Sequence, residues 1–352
     1  MLASQYYKKL LHSVIGAGLL LLVTVFLPAL AADAEQQHAK VESNDKKAAM
    51  QQKKGPKGPK PVGVVNSSNG SVFQKGNYAV ILKYDGYTRE DLYDGSDKVD
   101  FVRPAAGQRG KKAYEQSFQR YRLLMRAGLF KDVDVRMIVP FMNKEMKRQS
   151  ARKDFTDDES GLGDIIVYSR YQILSQKKKN PFNLAVGLGL SLPTGSTDGE
   201  DDSGATLPGF LQNGTGSVDP LFEIGAHKMF KRSMLTGHMM YRATSEGELG
   251  DRDFERPNVF GYNLGYVYAL SNLFDLQLEL NGKVMSKAEL NGVKNDNTGG
   301  HILYITPGVH FKFWKKMHLD LGVPTVISRD LNGTQLSEEY QVVLKLAMPF
   351  SM

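Results

Sequence analysis

The chain has no cysteine among its 352 residues. That excludes disulfide frameworks, Cys-ligated zinc, iron–sulfur clusters, thiol catalysis and a lipid anchor on an N-terminal cysteine. Tryptophan is almost missing, with a single residue. Long apolar runs are missing beyond Pro28, and mean hydropathy is −0.34, which excludes a polytopic helical membrane protein. Wholesale disorder is excluded as well, because 41% of residues are hydrophobic and only 24% are charged. What is plentiful is glycine (35), phenylalanine (17) and tyrosine (16). Strands and turns use these residues.

Residues 1–31 have the layout of a secretory signal peptide. Lys8 and Lys9 give a basic start, residues 13–27 are uncharged and apolar, Pro28 breaks the run, and Ala29-Leu30-Ala31 offers a small-residue cleavage site. A retained single-pass anchor is the alternative. Residues 32–74 follow as a Lys/Pro-rich periplasmic tail, with Lys53-Lys54-Gly55-Pro56-Lys57-Gly58-Pro59-Lys60-Pro61 at its centre. Such a segment is too polar and Pro-rich to fold by itself and is expected to be disordered. It either acts as a solvated spacer or touches anionic headgroups, peptidoglycan or an acidic partner. The formal net charge of +7 shrinks accordingly. The signal carries two of these charges and residues 32–61 carry seven Lys against four acids, leaving about +2 on the rest. Nucleic acid is not an expected partner of an exported chain.

From residue 75 to 352 the pattern has period two. Leu184, Val186, Leu188, Leu190 and Leu192 alternate with Ala185, Gly187, Gly189 and Ser191. Val133, Val135, Met137, Val139 and Phe141 alternate with Asp134, Arg136 and Ile138, and the segment from Tyr340 to Phe350 repeats the pattern. One face is apolar and the other small or polar, as in strands. The spacing predicts twelve strands, near 76–86, 115–128, 132–141, 163–176, 182–193, 218–230, 234–244, 258–270, 274–286, 300–313, 316–327 and 339–350. Many are long enough to cross a bilayer when tilted.

The connections alternate between short and long. Short turns are expected at 129–131, 177–181, 231–233, 271–273 and 314–315, and long loops at 87–114, 142–162, 194–217, 245–257, 287–299 and 328–338. Phe130, Phe182, Phe230, Phe274, Phe313, Trp314 and Phe350 lie beside the short turns or the C-terminal end, where an aromatic girdle meets headgroups. The fold class is therefore all-β, a transmembrane up-and-down antiparallel β-barrel of about 12 strands with its short turns in the periplasm. The expected location is a bacterial outer membrane, with outer-membrane lipid and lipopolysaccharide as surroundings.

Three short motifs add a resemblance. Gly161-Leu162-Gly163-Asp164 opens a strand ending in Tyr171, Leu192-Pro193-Thr194-Gly195 closes the next, and Gly214-Thr215-Gly216-Ser217-Val218-Asp219-Pro220 opens another. Their order and spacing resemble the outer-membrane barrel family labelled "putative MetA-pathway of phenol degradation", over about residues 115–350. The resemblance implies a barrel that moves small, often aromatic, molecules, and it brings no catalytic residues. The last strand is similar to the signal read by the outer-membrane assembly machinery, although Ser351 and Met352 follow Phe350.

No Gly-x-Ser-x-Gly elbow, Walker loop or His-Glu-x-x-His helix occurs. No catalytic residue and no cofactor is expected. With the apolar faces turned to lipid, Arg120, Arg122, Asp134, Arg136, Arg170, Glu223, Arg242, Asp275, Glu279 and Lys345 line the lumen, together with Lys83, Asp85, Arg126, Lys283 and Asp320. They either pack a narrow barrel with ion pairs or line a path that favours anions and carboxylated aromatics. Folding the hairpins about residues 232–233 and about Trp314 sets His227 opposite His238 and His310 opposite His318. Such pairs are low-ranking metal candidates, because a third ligand is not identified. Acidic clusters at Asp154, Asp157, Asp158 and Glu159 and at Asp198, Glu200, Asp201 and Asp202 read first as solvated loop charge and second as Ca²⁺ ligands.

The expected function is a passive outer-membrane channel or transporter for a small, aromatic or hydrophobic solute. The alternatives are a barrel enzyme, such as a lipid hydrolase with Ser, His and acid on its outer surface, and a scaffold barrel holding a periplasmic partner.

Overall fold

In a computed structural model, residues 58–104, 111–314 and 316–352 are described; the expected signal peptide and residues 32–57 of the expected tail lie outside them. The alternating segments fold as strands β1 Asn77–Asp94, β2 Lys112–Phe130, β3 Val133–Gln149, β4 Asp154–Leu162 with Ile165–Leu174, and β5 Asn183–Leu192. There follow β6 Asp219–Met229, β7 Ser233–Arg242, β8 Val259–Ala269, β9 Phe274–Met285 and β10 Gly300–Lys312. The last two are β11, His318–Gly322 with Thr325–Leu331, and β12, Thr334–Glu338 with Val342–Ser351. Each pairs antiparallel with its neighbour in sequence, and β1 pairs with β12, so the sheet closes on itself as a barrel of twelve strands. Closure removes every free sheet edge, the condition for strands to lie in hydrocarbon.

The period-two pattern decides which face meets lipid. Leu188 is 65% exposed and Phe222 49% exposed, while Arg170 and Asp134, on the inner rows, are 1% and 0% exposed. Phe130, Phe230, Phe274 and Trp314 are exposed beside the short turns, as the girdle requires. The interior is a polar core, and its largest fully buried side chains include Arg170, His310, Glu279 and Glu338.

Two expected loops are strand instead. Residues 142–149 and 154–162 extend β3 and β4 as a hairpin, and residues 328–331 and 334–338 continue β11 and β12 to a tight turn at Asn332-Gly333. Both hairpins carry polar residues on both faces. Lys144 pairs with Glu159 and Glu145 with Asp158 across β3 and β4, so the apolar alternation that marks a membrane strand is absent there. Of the other long connections, 87–114 begins as the continuation of β1 to Asp94, and 245–257 and 287–299 carry the short strands Glu246–Leu249, Arg252–Glu255, Glu289–Leu290 and Val293–Lys294, which form a small separate sheet.

The larger difference concerns the end of the tail. Residues 62–73 lie inside the barrel, not free beside it. The Val62 N–H donates to Asp275 at 2.9 Å, the Val65 N–H to Glu279 at 3.1 Å, the Val72 N–H to Gln172 at 2.9 Å and the Phe73 N–H to Asp134 at 2.9 Å. The carbonyls of Val64 and Val65 accept from Lys345 at 2.6 Å and Lys83 at 3.0 Å, and the Ser71 carbonyl accepts from Arg170 at 3.1 Å. A buried peptide group must be paired, and here charged wall side chains do what a neighbouring strand would do. Val64 completes the contact by packing between Met234 and Val267.

Candidate functional site

The predicted lumen residues divide into three levels. The level nearest the short turns clamps residues 62–73. Asp134 pairs with Arg126 and lies 3.5 Å from Arg136, Arg170 pairs with Glu223, and Asp275 pairs with Lys312. Arg136 donates to the Ser68 hydroxyl at 2.9 Å and to the Tyr168 hydroxyl at 3.2 Å. Glu279 accepts from the N–H groups of Val65 and Asn66. Lys345 stands 2.7 Å from Asp320.

The middle level is a cavity of about 310 Å³. Asn66 borders it on one side, and Asp85, Tyr87, Phe118, Arg120, Asn281, Gly282, Lys283, Tyr304, Pro324 and Gln341 complete its wall. Arg120 reaches Asp85 at 2.7 Å, and Arg122 pairs with the same carboxylate. The volume is at the lower end of what small-molecule sites occupy.

The level nearest the long loops is held by the recognised motifs. Asp164 accepts from the Gly195 N–H at 3.1 Å, the Thr215 N–H at 3.0 Å and the Thr215 hydroxyl at 2.8 Å. The Thr194 hydroxyl donates to the Gly163 carbonyl at 3.0 Å. A Cβ on Gly195 would meet the Gly214 Cα at 2.6 Å, so only glycine fits where the two backbones cross. Arg242 joins this level, at 2.5 Å from Asp219 and 3.7 Å from Asp164. The 193–218 connection then folds back over the strands, with Leu207 and Leu211 buried against Met146 and Phe210 beside them.

The histidine pairs are corrected by register. The β6–β7 turn closes between Phe230 and Ser233, which sets His227 opposite Thr236 and His238 opposite Gly225. His227 contacts Asn183 at 2.9 Å and Ser71 at 3.4 Å, and His238 contacts Glu223 at 3.4 Å. The β10–β11 turn closes between Phe313 and Met317, so His310 faces Asp320 and His318 faces Lys312. In each hairpin the turn centre lies one residue from the expected one, which moves the register by two. Donor atoms of His310, His318 and Asp320 still lie within 4.8 Å of one another. Lys345 already neutralises the Asp320 oxygen facing away from the imidazoles, so the group is a buried ion-pair knot beneath Val64.

The acidic clusters are similarly engaged. Asp157 pairs with Arg148 at 2.6 Å, Asp201 with Lys111 at 3.1 Å and Asp154 with Arg103. Hydrogen bonds from Ser203, Lys111 and the Ala205 N–H hold the Asp201 carboxyl well below the usual carboxylate range.

Sequence reasoning missed two features of this interior. The first is the segment 62–73, whose signal was a run without charge from Pro61 to Gln74 between a lysine-rich stretch and the first strand. The second is Glu338, buried with Arg89 at 2.8 Å, Lys283 at 3.3 Å and the Tyr304 hydroxyl at 2.7 Å. It fell in a segment expected to be a loop.

A closed barrel with an apolar outer belt and a charged, pleated interior is a transmembrane β-barrel of the bacterial outer membrane. The family model described as "Putative MetA-pathway of phenol degradation" matches residues 93–345, and the chain belongs to that family. Among solved structures, the COG4313 outer membrane channel from Pseudomonas putida F1 superposes with a TM-score of 0.60 at 16% identity, covering 82% of this chain and 100% of that one. That likeness is one of fold. The P. putida toluene transporter TodX gives a TM-score of 0.39 at 10% identity over 79% of this chain and 91% of that one. The CymD monoaromatic hydrocarbon channel gives 0.38 at 7% identity over 80% and 89%. No curated protein matches the chain in sequence.

Proposed function

We propose that the protein is a passive outer-membrane channel for small aromatic or hydrophobic solutes. The observation that carries this reading is a cavity of about 310 Å³ inside a lipid-facing barrel, walled by Tyr87, Phe118 and Tyr304 among polar groups. A solved structure of the same fold is described as an outer membrane channel, and the family description refers to phenol degradation; both agree with it. The non-catalytic part of the reading is supported by the histidines. A lipid hydrolase needs its imidazole at the outer surface, whereas His227, His238 and His310 are buried inside the wall. Residues 62–73 narrow the lumen, so solute passage requires their displacement or a path beside them. Liposome swelling with a panel of aromatic and aliphatic solutes tests the proposal. Protein-dependent flux that favours aromatic solutes is expected. Flux at the protein-free rate, both from the intact protein and after deletion of residues 62–73, overturns it.

A further inference from the structure

The cavity has a charge imbalance that a path for neutral solutes does not need. Asp85 is shared by Arg120 and Arg122, and Glu338 is shared by Arg89 and Lys283. Each carboxylate thus faces two cations. The carboxylates are the buried members, with side chains 7% and 0% exposed, whereas Arg120 and Lys283 keep 36% and 25% of their side-chain surface open. Both of those cations border the cavity. Asp85 lines the cavity too, but Arg120 offers it the larger open surface, and each trio presents one positive charge in excess.

The same walls supply flat apolar surface. Tyr87 and Phe118 are directly paired across β1 and β2, with ring centroids 5.0 Å apart and planes 23° apart. The Arg120 guanidinium lies 5.5 Å from the Phe118 ring, and the Lys283 ammonium lies 5.4 Å from the Tyr304 ring. Aromatic faces beside cations suit a planar ring that carries its own negative charge, because ring stacking and charge pairing are then satisfied within one small volume. Low dielectric inside the barrel strengthens the charge contact relative to water.

We propose that the cavity is a binding station for a small aromatic anion, a ring carboxylate or phenolate. Its ring lies among Tyr87, Phe118 and Tyr304, and its charge is met by Arg120 and Lys283. The inference rests on the channel reading and names the solute class for that same lumen. Cations that keep carboxylate partners hold such an anion loosely enough to release it, as a conducting site requires.

The test is calorimetric titration of the detergent-solubilised full chain with benzoate, benzyl alcohol and cyclohexanecarboxylate. Benzoate is expected to bind saturably and more tightly than either of the others, and to weaken as salt is raised. Lys283→Met and Arg120→Gln are each expected to weaken benzoate about tenfold or more, the usual effect of losing one charge-assisted contact. Both variants leave the carboxylate a second cation, Arg89 for Glu338 and Arg122 for Asp85, so neither strands a buried charge. Heat-modifiable gel mobility checks that each variant is a folded barrel. The proposal is overturned by absence of saturable benzoate binding, by equal affinity for benzoate and benzyl alcohol, or by parental benzoate affinity in both variants. Benzyl alcohol flux through the parent protein in liposomes reports on the channel reading separately. Its absence, there and after deletion of residues 62–73, would remove the channel while leaving the titration to decide the site.

Discussion

The Lys345 ammonium stands 2.6 Å from the Val64 carbonyl and 2.7 Å from Asp320. One lysine on the last strand therefore ties a segment that precedes the first strand to the buried acid of β11. Replacing it with methionine removes both contacts at once. Asp320 retains His310 and His318, so the barrel should still fold. A loss of about 2–3 kcal/mol is expected for a charged hydrogen bond of this kind. Urea unfolding should register the loss, and bilayer recordings should show more frequent opening steps than in the parent.

Deleting residues 62–73 should widen the path more drastically. Those residues fill the barrel between Asp275 and Asp134, and water would replace them. Single-channel conductance is expected to rise several-fold over the intact protein. Unchanged conductance would mean that the segment does not limit flow.

The inner arginines should set ion preference. Neutral replacement of Arg120, Arg122 and Arg136 removes three cations from the wall. The reversal potential in a salt gradient should then shift toward cation selectivity. Identical potentials in parent and variant would dispose of the idea.

The crossing of Gly195 and Gly214 leaves no room for a side chain. Gly195→Ala must push the backbones apart and break the contacts that Asp164 makes to Gly195 and Thr215. A cost of about 1–3 kcal/mol follows from overpacking. Limited proteolysis should cut the 193–218 connection in the variant under conditions where the parent resists.

Asp201 gives the same connection a pH dependence. Its carboxyl is held low by its hydrogen bonds, so the charged form favours the folded loop. That contribution is complete above the ordinary carboxylate range and is lost as pH falls below it. Amide protection over residues 199–207, the intrinsic exchange rate relative to the observed one at each pH, should be flat from neutral pH to about pH 5 and should fall below about pH 4. Asp201→Asn should remove the step.

Much of the barrel was legible because lipid enforces it. A strand in hydrocarbon must turn apolar residues outward at every second position, so all twelve strands announced themselves. Above the lipid that rule lapses. The β3–β4 extension sets Lys144 opposite Glu159 and Glu145 opposite Asp158, and such a stretch reads as loop. Register was the next thing lost, since one residue in the turn centre moves every cross-strand pair by two, as with His227 and His310. The lumen-facing charges were legible, but not their employment. Asp134, Arg170, Glu279 and Lys345 are spent on peptide groups of residues 62–73, and that pairing depends on neighbours up to 281 positions away. No local pattern encodes it.

The route of that segment also dictates a timetable. Its partners come from β1, β2, β3, β4, β6, β9, β10 and β12, so its berth does not exist until β1 has met β12. Contacts of such long sequence separation form late. A segment that precedes every strand of the barrel is thus among the last to settle. Whatever inserts this barrel must complete the seam with residues 62–73 still outside the wall they will later line.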